Sequence, residues 1–351
     1  MRVNGIDYRT VIMEGGVVRM VNQPLIPWRF EFIDLPTHRD TAHAIRTMIV
    51  RGAGAIGAAA GYGMAQAALE APDGAGFMAY IREGAETLRR TRPTAQDLFY
   101  AVQRVLDAIA GAGTATAARR AAVETAQALA DENAAAGRAI GELGATLIPD
   151  GARILTHCNA GWLAFVDWGS ALAPVYVAAR QGKRLFVYAD ETRPRSQGAL
   201  LTAWELQGEG IPHAVIADNA AGRLMQTGEV DLIIVGADRV AANGDVANKI
   251  GTYEKALCAA DNGVPFYVAA PSSTLDAACP NGAAIPIEER DADEVLYVTG
   301  LTDAGEPGRV RVSHALAAAR NPAFDITPAR LIRSVITERG IYAPGALPLG
   351  R

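Results

Sequence analysis

The chain has 351 residues, half of them hydrophobic and a fifth charged, which suffices for two domains with a large core. Its net charge of -5 argues against general attraction to nucleic acid or an anionic membrane, and leaves room for a local basic pocket. Three widely spaced cysteines, Cys158, Cys258 and Cys279, argue against a disulfide framework and a zinc knuckle, and fit a reducing cytoplasm.

The first thirty residues carry Arg2, Asp7, Arg9, Glu14 and Arg19 and no apolar core of a signal peptide. Short strands are expected at 17–21 and 30–33, with Pro24 and Pro27 breaking the chain between them. From Thr37 the period changes: Ala42, Ile45, Met48 and Ile49 recur at helical spacing as far as Arg51-Gly52. Helices are then expected over 55–70, 75–88, 94–109 and 115–143, with Pro93 in the first turn of the third of these. The stretch nearest to a membrane span, 53–69, is mostly Ala and Gly and contains Gln66. Its Gly57-x-x-x-Gly61 spacing predicts close helix packing in a soluble core. Residues 1–145 therefore read as a mainly helical domain with a small β edge.

Beyond the turn Ile148-Pro149-Asp150-Gly151, residues 146–351 alternate between the two periods. Strands are expected at 153–157, 184–188, 213–216, 232–235 and 265–269, with helices at 169–181, 197–207, 221–227 and 249–262. This order predicts parallel strands with right-handed crossovers, an α/β fold with a Rossmann-like sheet. No Gly-x-Gly-x-x-Gly follows the first strand, so a dinucleotide is not indicated. A further strand is expected at 294–298. A last helix is expected from Thr327 as N-cap and Pro328 as first helical residue to Gly340.

Parallel strands bring their carboxyl ends to one edge, where open α/β sheets bind ligands. The strand ends supply Thr156-His157-Cys158-Asn159, Asp190 to Gln197, and Gly236-Ala237-Asp238-Arg239, followed by Asn248-Lys249 at an expected helix start. A thiol, carboxylates, guanidiniums and a glutamine gathered there suit an anionic, hydroxyl-rich ligand such as a sugar phosphate. Each residue also has a plainer reading. Cys158 packs as a small hydrophobe, His157 is structural, and Asp238 pairs with Arg239. Asp190 and Glu191 are solvated or pair with Arg193, and Gln197 caps a helix. Two further sites add weight to a ligand. Gly52 and Gly54 allow an anion near a helix N-terminus, and Arg92 stands at a helix start where the macrodipole offers it nothing.

Several blocks resemble the methylthioribose-1-phosphate isomerase family. They are Arg51-Gly52-Ala53-Gly54-Ala55-Ile56-Gly57, Thr91-Arg92-Pro93-Thr94, Thr156 to Gly161, Asp190 to Gly198, Thr202 to Leu206, and Gly236 to Tyr253. That family lies in the superfamily of the regulatory subunits of the translation initiation exchange factor. The resemblance covers nearly the whole chain. It implies Cys158 and Asp238 as catalytic pair and Arg51, Gly52, Ala53, Arg92, Gln197, Asn248 and Lys249 as substrate-binding residues. It also implies a cytoplasmic homodimer with no metal and no organic cofactor. Two alternatives stand beside it: an isomerase of another 1-phosphorylated pentose, such as 5-deoxyribose 1-phosphate or ribose 1,5-bisphosphate, and a noncatalytic sugar-phosphate-sensing regulatory subunit. The chain departs from the family pattern at Gly54, Trp162 and Ser196. The last two are expected near the pocket, where they bear on the sugar's 5-substituent.

Overall fold

The computed structural model describes residues 1–92 and 96–350. Two small antiparallel sheets form at the N-terminus. β1 (Arg2–Val3) pairs with β2 (Ile6–Asp7), and β3 (Val11–Glu14) pairs with β4 (Val17–Val21), which pairs with β5 (Phe32–Leu35). Val11, Val18 and Met20 turn inward, while Arg19 and Asp34 pair on the outer face. Thr37 then starts α1 (His38–Arg46) with a capping box. Its hydroxyl accepts from the Asp40 N–H, and the Asp40 carboxylate accepts from the Thr37 N–H.

The bundle continues with α2 (Ala53–Glu70), α3 (Phe77–Arg89), α4 (Gln96–Ala110) and α5 (Ala115–Ala145). Pro93 and Thr94, expected to open α4, lie outside the described residues. α2 is buried from Gly54 to Ala68 and forms the axis of the bundle. Its small residues let neighbours come close: a Cβ on Gly57 would stand 3.1 Å from Asp97 of α4, and one on Gly61 3.3 Å from Leu129 of α5. The glycine spacing therefore serves helix packing. Among the described residues no helix is long and apolar enough to cross a membrane.

After α5 the chain alternates as expected. β6 (Ala152–Thr156), α6 (Ala173–Arg180), β7 (Leu185–Asp190), α7 (Ala203–Gly208), β8 (His213–Ile216), α8 (Ala221–Gln226) and β9 (Leu232–Val235) follow in turn. Next come the hairpin β10 (Arg239–Ala241) and β11 (Val246–Lys249), then α9 (Thr252–Asp261), β12 (Phe266–Ala269) and β13 (Leu275–Asp276). The last elements are α10 (Asp293–Leu296), β14 (Tyr297–Leu301), β15 (Pro307–Arg311), β16 (Phe324–Thr327), β17 (Ser334–Thr337) and β18 (Gly340–Tyr342).

The main sheet has the spatial order β8-β7-β6-β9-β12-β17-β18 and is parallel except for β18. Ile154, Leu232 and Ile234 pack on one face with Val175 and Tyr176 of α6. Leu155, Ile233 and Val235 pack on the other with Met225 of α8 and Ala256 of α9. Because both faces are covered, β9 is buried along its whole length, as its unbroken apolar run predicts. The order reverses between β6 and β9, and a crevice opens at their carboxyl ends. A second sheet, β13-β10-β11-β16, lies beyond that edge in the sequence of β9.

Three expectations fail in the last third. No helix runs from Thr327 to Gly340. Thr327 ends β16, one 3-10 turn follows at Ala329–Leu331, and Ser334–Thr337 pairs with β12, with Val335 and Ile336 fully buried. The β-branched side chains in this run favour the sheet interior over a helix. Asn248 and Lys249 do not start a helix either. The Asn243-Gly244-Asp245 turn folds β11 back on β10, and α9 begins only at Thr252. Residues 294–298 are not one strand: they finish α10 and begin β14, which forms a hairpin with β15.

Candidate functional site

All nine residues singled out from the sequence line one cavity of about 120 Å³ that opens to solvent: Arg51, Gly52, Ala53, Arg92, Cys158, Gln197, Asp238, Asn248 and Lys249. They arrive from six places. Gly52 and Ala53 are the N-terminus of α2, and Arg92 precedes α4. Cys158 follows β6, Gln197 precedes the turns leading into α7, and Asp238 links β9 to β10. Asn248 and Lys249 end β11. At Gly52 the backbone has φ 98°, and a Cβ would stand 2.4 Å from the Ala164 backbone, so the approach requires glycine. It aims the start of an 18-residue helix at the cavity, a favourable place for an anion.

Cys158 is held in the left-handed region at φ 67°. Its N–H donates to the Thr192 hydroxyl (2.8 Å), and its carbonyl accepts from the Thr202 hydroxyl (2.7 Å). Thr192, Ser196 beside Gln197, and Met48 on the cavity wall also have positive φ. Such a cluster of sparsely populated conformations persists only where its surroundings over-determine it, and it concentrates at functional sites.

Burial pushes the Cys158 thiol above its ordinary range, and the charges of Lys249 and Arg51 pull it partway back. Burial likewise raises the Asp238 carboxyl, opposed by Lys249, Arg290 and Arg92. The cations shift the other way. Burial brings Arg51 down to about 9, and burial together with the charge of Arg290 brings Lys249 down to about 8. The Lys249 ammonium donates to the Ala323 carbonyl (2.8 Å) and lies 4.6 Å from the Phe324 ring centre. Arg195 and Arg239 pair with Glu294 and Asp276, whereas no carboxylate among the described residues ion-pairs with Arg51, Arg92 or Lys249. The reading of Asp238 as a partner of Arg239 is thus replaced by the Arg239–Asp276 pair. Arg92 Nε and Gln197 Oε1 are buried and bonded to nothing among the described residues, so a donor and an acceptor are left for a polar ligand.

Behind this lining lies a layer of satisfied polar groups. His157 Nδ1 meets Asp190 (2.9 Å) and its Nε2 meets the Ile250 carbonyl (2.8 Å), which is the structural role expected for it. Asp190 is fully buried with His157 and Lys255 rather than solvated or paired with Arg193. His157, Asp190 and Asp218 lie close enough to hold a metal ion, but both imidazole nitrogens are engaged. Asp218 already accepts from the Thr192 and Arg193 N–H groups. Glu205 fixes the loop after Cys158 by accepting from the N–H groups of Trp162 and Leu163, the Asn159 amide and the Tyr176 hydroxyl. Its burial lifts the carboxyl to about 7 against the pull of those donors.

Trp162 does not line the cavity. It is fully buried, with its ring 6.1 Å from that of Trp204. Ser196 lines an adjoining depression together with Arg51 and Arg195. Two lining residues, Arg290 and Phe324, were not read from the sequence as part of the site. Arg290 ends no strand and starts no helix. Phe324 lies on β16, whose segment reads as the lead-in to a helix.

The sequence profile of the initiation factor 2 subunit family matches residues 49–344. Methylthioribose-1-phosphate isomerase of Methylorubrum populi is 51% identical to this chain, covering 98% of it and 95% of the relative. The enzyme of that name from Gluconobacter oxydans is 49% identical over 97% of this chain and 95% of its own length. Among solved structures, 5-methylthioribose 1-phosphate isomerase from Pyrococcus horikoshii superposes with a TM-score of 0.87 at 41% identity, covering 97% of this chain and 94% of that one. The translation initiation factor eIF-2B subunit delta from A. fulgidus superposes with a TM-score of 0.82 at 38% identity, covering 96% and 97%.

Proposed function

The chain belongs to the initiation factor 2 subunit family, and from that premise we propose that it is an aldose–ketose isomerase. It converts 5-methylthioribose 1-phosphate to 5-methylthioribulose 1-phosphate, a step of methionine salvage. One observation carries the reading: the Cys158 thiol and the Asp238 carboxyl line one cavity with Arg51, Arg92 and Lys249, cations that have no carboxylate partner among the described residues.

The chemistry suits these groups. A phosphate ester locks C1 of the sugar, so the ring opens only if an acid protonates the ring oxygen. Burial raises the Asp238 carboxyl, which favours a proton on it, and Asp238 is assigned as that acid and later exchanges a proton with O2. Arg51, Arg92, Lys249 and the N-terminus of α2 at Gly52 and Ala53 take the phosphate, while Gln197 and Asn248 meet hydroxyls. Cys158 carries the C2 proton to C1 through an enediol-like state, or it keeps the site dry for a direct hydride shift from C2. Deuterium found at C1 after turnover in deuterated water establishes the enediol route, because a hydride shift keeps the C2 hydrogen.

We further read residues 1–145 and 146–351 as two domains, the second Rossmann-like in strand order, and the protein as a cytoplasmic homodimer without metal or organic cofactor. The test is turnover of 5-methylthioribose 1-phosphate beside 5-deoxyribose 1-phosphate and ribose 1,5-bisphosphate. Preference for either of the latter two changes the substrate. Binding of all three without turnover turns the reading to a sugar-phosphate-sensing regulatory subunit, which the similarity to the initiation factor structure favours.

A further inference from the structure

Arg290 stands in the cavity with one loose ion pair, to Glu288. Its side chain is 9% exposed, and its Nε is bonded to nothing among the described residues. The Glu288 carboxylate oxygen stands 3.5 Å from that Nε, beyond a good hydrogen-bond length. The guanidinium packs 5.8 Å from the centre of the Phe324 ring, the same ring that the Lys249 ammonium approaches at 4.6 Å. Lys249 and Phe324 are direct partners across β11 and β16, so the ring is a wall shared by two cations. After burial, the charge of Arg290 is the largest influence lowering both Arg92 and Lys249. Three cations thus gather around the Asp238 carboxyl in a poorly solvated space, and a further anion among them relieves both their mutual repulsion and the unused donors.

We propose that Arg290 is a substrate-binding residue whose guanidinium grips the phosphate of the sugar beside Lys249 and Arg92. The proposal rests on the sugar-phosphate reading of the cavity. The planar fork of arginine matches a phosphate through two parallel N–H donors, which an ammonium cannot supply. The competing role is packing against Phe324 alone, in which case the group touches no substrate.

Calorimetric titration of inorganic phosphate into the full-length protein separates these roles, beside steady-state kinetics with 5-methylthioribose 1-phosphate. Arg290→Gln is expected to weaken phosphate binding about tenfold or more, and to raise KM more than it lowers kcat, with the thermal midpoint maintained. Unchanged phosphate affinity in folded Arg290→Gln overturns the proposal. If that variant does not fold, Arg290→Lys decides, since it keeps the charge and loses the fork. Affinity equal to that of the wild type then overturns the proposal, and a loss of about threefold or more supports it. Wild-type protein that binds phosphate through Arg290 yet turns over none of the sugar phosphates refutes only the isomerase reading. Wild-type protein that binds no phosphate overturns this inference.

Discussion

Asp97 on α4 carries a carboxyl whose ionisation the fold opposes. The residue is 7% exposed, it sits behind Gly57 of α2, and neither oxygen has a well-aligned hydrogen bond among the described residues, the Ser273 hydroxyl being near but poorly placed. Burial lifts the carboxyl from an ordinary 3.8 to about 6. The Ser273 hydroxyl pulls it back, and the charge of Asp238 adds a smaller upward push. A carboxyl raised in the folded state stabilises the protein while protonated. That contribution is complete below pH 3.8 and is lost as pH rises through about 6. At about 1.36 kcal/mol per pH unit, the interval from 3.8 to about 6 amounts to roughly 3 kcal/mol. Asp97→Asn keeps the shape and removes the titration. Its stability relative to the wild type should therefore improve by roughly 2–3 kcal/mol between about pH 4 and neutral pH. Urea unfolding followed by circular dichroism at the two pH values, with protein concentration fixed, measures this difference. A stability difference that does not change with pH would show that Asp97 is ionised in the fold and would refute the reasoning.

Asp238→Asn should bind substrate and lose turnover, because an amide donates a hydrogen bond but transfers no proton; single-turnover kinetics beside a binding titration checks this. Cys158→Ser should fold, bind and lose most turnover, since a hydroxyl is far less acidic than a thiol, and near-normal rates would reduce Cys158 to a packing residue. Lys249→Ala and Arg92→Ala should each cost about 1.5–3 kcal/mol of substrate binding, read by calorimetry. Lys249 loses its charge as pH rises through about 8, so KM should climb above that pH, and Lys249→Arg should move the climb upward. Exhaustive chelation should leave turnover intact. A loss that added metal restores would overturn the metal-free assignment and direct attention to His157, Asp190 and Asp218.

The sheet was legible because burial on both faces leaves a plain sequence signal: Leu232 to Val235 is apolar without interruption, and all four residues are buried. The strand ends were legible for the same reason, since topology alone carries Cys158 and Asp238 to one edge. The β10–β11 excursion was not, because Asn248-Lys249 pairs with a strand distant in sequence, β16, that arrives from 75 residues onward in the register Lys249↔Phe324. Local pattern assigned that segment to a helix. Thr327-Pro328 misled similarly: the pair has the form of a helix start, and the pairing of Val335 and Ile336 with β12 overrides it. Arg290 carries no periodic or positional mark. Only the packing of its loop against Phe324 brings it to the cavity.

The register of β11 against β16 also decides where the chain tolerates insertions and deletions. Val246↔Thr327, Ala247↔Ile326, Asn248↔Asp325 and Lys249↔Phe324 are locked pairs, and neighbouring residues of a strand face opposite ways. A residue lost within 246–249 therefore turns the ammonium away from the Phe324 ring and puts a neighbour in its place. A residue lost from 312–320, between the last residue of β15 and the loop before β16, leaves all four pairs intact. Length variation in this part of the molecule is thus tolerated at 312–320 and not on the short strand beside it.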